Sequence, residues 1–339
     1  MASYKGQKYE KAVVTKIIKD NLAEDGSRYG TQKVLVKITT GTYKGKEKQA
    51  INPSGTLFGA DCKVGARIIV IVNKSGTNAG FTVYSQDRTM AIYGFALIFA
   101  AVVCAIGGKK GVYAILSLVF AFACIIGIMF PMMYRGISPI VLTIIVAVLT
   151  TIVTLGLLGG YSSKTVSAIL GTAIGVVIAA VAAMAFGKAA GITGYNVSDI
   201  EALNYVGQNT KIKIGELLFA GIIISALGAV MDVGMSIAST IQEIYETDKT
   251  LSMKRLFVSG INVGRDMMGT MTNTLIFAYV GGAMTTLVIN YAYDLSYRQL
   301  ANSYVIGIEI MQGLSGSLGV VLTVPITALI ASFLAVRKK

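Results

Sequence analysis

Four polar side chains stand at or inside the ends of two apolar segments that are each long enough to cross a lipid bilayer. Asp232 and Glu243 belong to the first segment, and Asp266 and Asn273 belong to the second. An ionisable group inside a membrane is costly and usually serves a function. These residues are therefore the first candidates for binding a cation, relaying a proton or hydrogen-bonding a solute.

The first segment places its polar residues at helical spacing. Ser225, Asp232, Ser236, Ser239 and Glu243 are separated by 7, 4, 3 and 4 residues, and this spacing puts them on one face of a helix. We expect that face to lie against protein or water and away from lipid.

The second segment carries Thr270 and Asn273 on a common face, at a depth similar to that of Asp232. Their oxygens could complete a site with Asp232, or they could simply join neighbouring helices. Where this segment enters the membrane, the adjacent residues Arg265 and Asp266 are predicted to form a local ion pair, with a gate as the alternative.

The last apolar stretch is too long for one untilted crossing. Its composition predicts a short helix through Gln312, a break at Gly313 and Gly316, and then a full span in which Pro325 can produce a kink. Glu309 and Gln312 would lie near the outer end of the membrane. Together with Asp232 toward the inner side, they suggest a polar pathway.

The composition indicates a polytopic membrane protein, because 54% of the 339 residues are hydrophobic and only 14% are charged. Residues 1–88 form a predicted β domain and residues 89–339 a transmembrane domain. Gly171 and Gly175 predict close helix contacts in a scaffold formed by the first four spans. Seven spans are expected, at about 89–107, 111–131, 137–158, 166–187, 216–240, 268–289 and 315–336.

Residues 1–88 contain five short runs rich in Val, Ile and Thr, which predict a small OB-like or SH3-like barrel. This region has 15 Lys and Arg against 7 Asp and Glu, a net charge of +8. The positive charge favours a solvated face or attraction to anionic lipid headgroups. No nucleic-acid motif accompanies it, so we expect no nucleic-acid partner.

Residue types that support much enzyme chemistry are rare or missing. The sequence has no His, and its three Cys, at positions 62, 104 and 124, are far apart. This spacing suggests neither a zinc site nor a disulfide framework. We expect no metal, no cofactor and no enzymatic activity, because there is also no recognisable catalytic motif.

Basic residues predict the orientation of the chain. Ten Lys and Arg in the loops and at the C-terminal end fall on one side of the seven predicted spans, and five fall on the other. By the positive-inside tendency, the C-terminus is cytoplasmic and the β domain extracytoplasmic.

The sequence resembles the YibE/YibF family of bacterial multi-pass membrane proteins. The resemblance rests on ALGAVMDVGMSIAST at 226–240, SGINVGRDMMGTMTNTLIFAYVGG at 259–282 and LTVPITALIA at 322–331. This resemblance implies that the protein lies in a bacterial cytoplasmic membrane and that it has a YibF-like partner. The resemblance is to the YibE branch, whose members usually carry a further membrane helix ahead of the soluble domain; we therefore expect a shortened chain.

Two functions remain open at this stage. The first is transport of a small solute or ion along a polar pathway between spans five to seven, with the lipid bilayer as surroundings and a YibF-like protein or a second copy as partner. The alternative is a sensor or assembly protein that does not transport and whose external β domain binds a ligand or partner.

Overall fold

The computed structural model of the protein describes residues 7–21, 30–53, 59–75, 78–197 and 199–337. Lys338 and Lys339, which were counted in the charge argument, lie outside these ranges. The chain divides into two compact units, Met1–Val102 and Val103–Lys339.

The first unit contains a closed five-stranded barrel with the strand order β1-β2-β3-β5-β4. Strands β3 and β5 pair in parallel and the other neighbours are antiparallel. This is the topology of an OB-fold, which resolves the choice that strand count left open. The strands are β1 Gln7–Lys19, β2 Thr31–Ile38, β3 Glu47–Pro53, β4 Arg67–Ser75 and β5 Asn78–Gln86.

The interior of the barrel follows from the alternation of apolar and polar residues along the strands. On β2, Val34, Val36 and Ile38 are fully buried, as the period of two requires. Gln32 continues this inward series as a polar residue, and its side chain accepts a hydrogen bond of 2.8 Å from Asn52. Asn52 also donates to the carbonyl of Ala60, so this buried amide pair fastens the connection after β3 to the barrel.

A carboxylate secures the end of the barrel next to the first helix. Asp87 accepts a hydrogen bond from the backbone amide of Thr89 at 3.0 Å and lies 3.1 Å from the ammonium of Lys11. The Thr89 hydroxyl and amide, followed by Lys11, lower the pKa of Asp87 to about 2. Because the folded pKa lies below the ordinary value of 3.8, this contribution to stability is present above about pH 4 and is lost as the pH falls toward 2.

The remainder of the chain is helical. Five helices are long and apolar enough to cross a membrane, and a sixth is counted if a pair bent by 60° is one span. The helices are α1 Thr89–Cys124, α2 Phe130–Tyr134, α3 Pro139–Gly159, α4 Ser163–Ala189, α5 Ile200–Gln208, α6 Leu217–Thr247, α7 Met253–Gly282, α8 Met284–Ala292, α9 Tyr297–Ala301 and α10 Tyr304–Arg337.

This count of six is one fewer than the seven spans expected from the sequence. The missing span lies within α1. The backbone is helical over Thr89–Tyr134 except at Gly108, which has φ 54° and ψ −131°, a conformation that glycine adopts readily. A Cβ at Gly111 would collide with the carbonyl of Val103, although these residues would be about 12 Å apart along a straight helix. The chain therefore bends sharply at Gly108. If the two halves of α1 are counted separately and the bent pair of α7 and α8 is counted as one span, the total is seven spans.

Helix α10 lies at the centre of the second unit and packs against α4, α6 and α7. Its contact with α4 is very close, because a Cβ at Gly171 would collide with Thr327 and one at Gly175 would collide with Thr323. Two glycines spaced by four residues thus face two threonines with the same spacing. Small residues allow helices to approach in this way inside membranes.

Contacts at the helix ends establish the helix directions. Ser138, immediately before α3, donates a hydrogen bond to Glu216, immediately before α6. Gly187 near the end of α4 meets Phe219, and Gly307 near the start of α10 meets Ile192. The starts of α3, α6 and α10 therefore lie at one end of the unit together with the end of α4.

The predicted break in the last segment is wrong. Helix α10 runs without interruption from Tyr304 through Gly313, Gly316 and Pro325 to Arg337. The glycines serve packing, because a Cβ at Gly316 would lie 3.3 Å from the Cβ of Ala226 on α6. A glycine with helical neighbours and a packing partner does not have to interrupt a helix.

We expect Gly175→Ala to destabilise the helical unit by about 1 to 3 kcal/mol, because the added methyl group must displace α10 or α6. The check is thermal unfolding in a single detergent, with Gly94→Ala as the matched control. Gly94 has open space around its Cα, so alanine there should be neutral or stabilise by up to ~1 kcal/mol. Equal melting temperatures for the two variants would contradict this packing.

Candidate functional site

The inner face of α6 determines where its polar residues point. Val230, Gly234, Ile237 and Ile241 are buried, and a Cβ at Gly234 would lie 2.9 Å from the Thr172 hydroxyl on α4. This close approach fixes the rotation of α6 about its axis. Asp232 is about 200° around the helix from Val230 and from Gly234, so it points away from the core.

The exposed residues on the outer face of α6 are glycines and polar residues. The structure describes every residue of α6, and none of its exposed side chains is a large hydrophobic one. Open space surrounds Gly221 and Gly228 on this face. Its exposed residues are Gly221, Ser225, Gly228, Asp232, Glu243, Glu246 and Thr247, with Ser236 and Ser239 half-buried beside them.

Helix α10 provides the contrast within the same unit. Its outward residues are apolar and repeat at helical spacing, as expected for a surface in contact with lipid chains. They include Leu314, Leu318, Leu322, Leu329 and Phe333. The outer face of α6 cannot have that environment, because an exposed carboxylate in hydrocarbon has no partner.

Helix α7 continues the polar surface. Thr270 and Asn273 are both exposed on this helix. Within the described chain, the side chains of Asp232 and Asn273 make no hydrogen bond or ion pair. They lie on the outer faces of neighbouring helices, and the interior of the bundle does not enclose them.

The predicted ion pair between Arg265 and Asp266 is wrong. Both side chains are exposed, and no salt bridge joins these two described residues. Successive residues on a helix point about 100° apart and do not face each other. Arg265 and Asp266 are therefore available to other charges at the start of the membrane-crossing part of α7.

The turn between α6 and α7 is held by a carboxylate. Asp248 accepts hydrogen bonds from the Thr250 amide at 2.9 Å and the Thr250 hydroxyl at 2.6 Å. These two bonds, followed by the nearby Arg255, lower the pKa of Asp248. The turn thus gives α7 a defined starting direction.

One side-chain hydrogen bond connects α6 to α7. The hydroxyls of Ser225 and Tyr279 are 2.7 Å apart, and Ser225 also donates to the carbonyl of Ile222. Ser225 belongs to the predicted polar face, whereas Tyr279 was not among the predicted site residues. Its position in an apolar run gave no signal, because the partner comes from another helix.

Glu309 lines a cavity of about 320 Å³ between α7, α8 and the first third of α10. The 60° bend between α7 and α8 lies beside this space, since Ala283 at the bend is one of the lining residues. Tyr279 and Gly313 also line it, and the other lining residues are aliphatic. Gln312 is half-buried one turn along α10 and does not line the cavity.

The structure thus divides the predicted residues into two groups. Asp232, Ser236, Ser239 and Glu243 share the outer face of α6 and Thr270 and Asn273 are exposed on α7, whereas Glu309 lies in the cavity. Ser225 belongs to the outer face of α6 and Tyr279 lines the cavity, and the hydrogen bond between their hydroxyls connects the two groups.

A further set of polar atoms was missed by the sequence argument. Five buried hydroxyls have no hydrogen-bond partner among the described residues, and they belong to Thr172 on α4, to Thr272 on α7 and to Ser317, Thr327 and Ser332 on α10. They give the interior of the helical unit a local polarity. Among the described residues, no three His, Cys, Asp or Glu side chains come together in a way that could hold a metal ion.

The apolar helices, the polar face of α6 and the OB-type barrel define a multi-pass membrane protein with a soluble β domain. The model of the YibE/F-like protein family matches residues 95–337, which is most of the chain, and the protein belongs to that family. The comparisons with curated proteins and with solved structures give no match.

We expect a double-mutant cycle of Ser225→Ala and Tyr279→Phe to give a coupling energy of about 0.5 to 1.5 kcal/mol, the range for one interhelical hydrogen bond. Thermal or denaturant unfolding in detergent measures it. The pair Ser225→Ala and Tyr195→Phe serves as the control and should be additive, because Tyr195 has no hydrogen bond to Ser225. Additive effects in the first cycle would exclude the bond.

Proposed function

We propose that this protein is a membrane transporter of a small solute or ion, and that the polar outer face of α6 forms part of its pathway. The observation that carries the proposal is that a membrane-crossing helix exposes glycine, hydroxyl and carboxylate groups and no large hydrophobic side chain. Such a face requires water or protein beside it. A water-accessible groove with Asp232 at its centre is the arrangement that a carrier needs.

The residues of the proposed pathway have distinct roles. Asp232 supplies the charge, and Ser236, Ser239, Thr270 and Asn273 supply neutral oxygens at the same helical surface. Glu243 lies toward the α7 turn. Glu309 is one of the residues that line the cavity near the opposite end of the unit, and we propose that it marks a second position along the route.

The polar face on α6 and α7 is uncovered in a single chain, and the proposed groove would form against a partner. We propose that a YibF-like membrane protein or a second copy of this chain covers it within the membrane. Gly221, Gly228 and Gly269, which have open space around them, allow a partner helix to approach the backbone. The cover would separate the groove from lipid and leave water on the pathway.

The expected location is the bacterial cytoplasmic membrane, with the β domain outside the cytoplasm and the C-terminus inside. The distribution of basic residues supports this orientation. The family match supports a membrane location in general.

We expect Asp232→Asn to reduce flux by at least about tenfold, because one charge that stabilises a desolvated substrate is worth more than about 1.4 kcal/mol. The measurement is flux of inorganic ions, protons and small solutes in proteoliposomes. Asp294→Asn is the matched control, since Asp294 lies in the loop after α8 and its left-handed backbone, with φ 50°, suits asparagine.

Flux that depends on the protein but is equal in Asp232→Asn and the control would exclude a pathway built on α6. The absence of protein-dependent flux, with the YibF-like partner present, would overturn the transport proposal.

The orientation has its own test, for which two exposed lysines offer labelling sites. In a variant without the three native cysteines, Lys44→Cys in the β domain should react with a membrane-impermeant maleimide in spheroplasts. Lys254→Cys at the start of α7 should react only after permeabilisation. The opposite labelling pattern would reverse the orientation and the assignment of inner and outer ends.

A second function is favoured by the surface of the barrel. Lys33 and Lys37 are exposed on either side of Leu35 on β2, and Lys16 of β1 pairs with Leu35. OB-folds use the neighbourhood of β2 and β3 to bind oligomeric ligands. A sensor or assembly protein would bind its partner through this basic face, and substitutions on α6 would then leave its activity unchanged.

A further inference from the structure

Arg265 is an exposed cation on a membrane-crossing helix, and it forms no ion pair within the described chain. A carboxylic acid in such a position can take up a proton, but a guanidinium keeps its charge at every physiological pH. Arg265 therefore needs water, a lipid headgroup or a carboxylate beside it.

The surface around Arg265 is the polar face of α7. Arg265, Gly269 and Asn273 are exposed and follow one another at intervals of four residues, so they share one side of the helix. On α6 the polar face ends near Glu243, which is exposed and likewise has no ion pair among the described residues. The joint surface thus carries opposite charges that are not paired within their own chain.

Two contacts between α6 and α7 define which of their residues lie at equal depth. A Cβ at Gly260 would collide with Ile241, and the hydroxyl of Tyr279 is 2.7 Å from that of Ser225. Between these contacts, Arg265 lies about 6 Å beyond the level of Ile241, on the side away from the turn that joins the two helices.

The directions of the side chains bring Arg265 and Glu243 together. Their backbones lie at levels about 9 Å apart at the usual helical rise. Because side chains lean toward the N-terminus of their helix, Arg265 leans toward the turn and Glu243 leans away from it. The two side chains therefore extend toward a common level. Asp232 lies on the other side of that level and leans away from Arg265.

A second copy of the chain supplies the complementary charge. Copies of one chain insert into the membrane in the same orientation, so a two-fold axis that relates them runs along the membrane normal and equal depths face each other. In such an interface every contact occurs twice with the copies exchanged. A face that carries both Arg265 and Glu243 is then complementary to itself.

We propose that two copies of this chain associate through the polar faces of α6 and α7, with Arg265 of each copy paired to Glu243 of the other. Gly221, Gly228 and Gly269, which have open space around them, admit the facing helices. The inference rests on the proposed function only in taking the covered face as the pathway, whose wall the second copy would complete. Association itself does not depend on transport.

The test exchanges the charges between copies. Glu243→Arg gives a chain with two cations at the contact, and Arg265→Glu gives a chain with two carboxylates. Donor-labelled and acceptor-labelled copies are reconstituted in liposomes, and energy transfer is measured as the protein is diluted with lipid. Glu201→Arg and Arg298→Glu are the matched controls, since both residues are exposed on the short helices α5 and α9 at the opposite end of the unit.

We expect the unaltered protein and both controls to associate equally, and each contact variant to associate with itself about tenfold or more weakly, because like charges then face each other. A mixture of Glu243→Arg with Arg265→Glu should recover the association, since both contacts again join opposite charges. A pair within one chain would stay broken in that mixture. Recovery also shows that both variants fold.

The inference is overturned if the unaltered protein stays monomeric in liposomes, if the contact variants associate as tightly as the controls, or if their mixture does not recover. It is also overturned if Asp232→Arg recovers association with Arg265→Glu in place of Glu243→Arg.

The same preparations separate this inference from the transport proposal. Flux that depends on Asp232 in a protein that stays monomeric would reject the paired copies and leave transport intact. Recovery of association in the mixture, without flux even when a YibF-like partner is present, would do the reverse.

Discussion

The close contact between α4 and α10 is the constraint on which the arrangement of the helical unit depends. Gly171 and Gly175 leave no room for a side chain against Thr327 and Thr323, so the two backbones approach as closely as helices can. In lipid no hydrophobic force drives helices together, and such packing contributes much of the association energy. Helix α6 then fits beside this pair through Gly234.

The rotation of α6 follows from that fit and determines the chemistry of the protein surface. Once Val230 and Gly234 face inward, Asp232 must face outward. If α6 packed only through large apolar side chains, it could rotate so that an acidic residue faced the core or the interface with a neighbouring helix. Here the glycine contacts leave one orientation, and the polar face becomes a surface that lipid cannot cover.

The cavity and the polar face are different kinds of site on the same helical unit. The polar face is open, hydrophilic and spread over α6 and α7, which suits water and a covering partner. The cavity is small and its walls are almost entirely apolar, with Glu309 as the one ionisable carboxylate among the residues that line it. The Ser225–Tyr279 hydrogen bond joins the face to the cavity, so a change of helix spacing at one would reach the other.

The sequence by itself determined the membrane class, the barrel, the family and the helical face that carries Asp232 and Glu243. These properties depend on composition, on the local periodicity of two or 3.6 residues and on strings of neighbouring residues. Local information suffices for each of them.

Only the tertiary structure decided the OB topology, the continuity of α10, the outward direction of Asp232 and the pairing of Ser225 with Tyr279. From the sequence, Gly313 and Gly316 predict a break, because glycine weakens an isolated helix. In the folded chain, the missing side chain of Gly316 instead leaves room for Ala226 on α6. Arg265 and Asp266 adjoin in sequence, yet the helical backbone turns them apart. Each of these outcomes depends on which distant residue lies opposite, and the local sequence pattern does not contain that information.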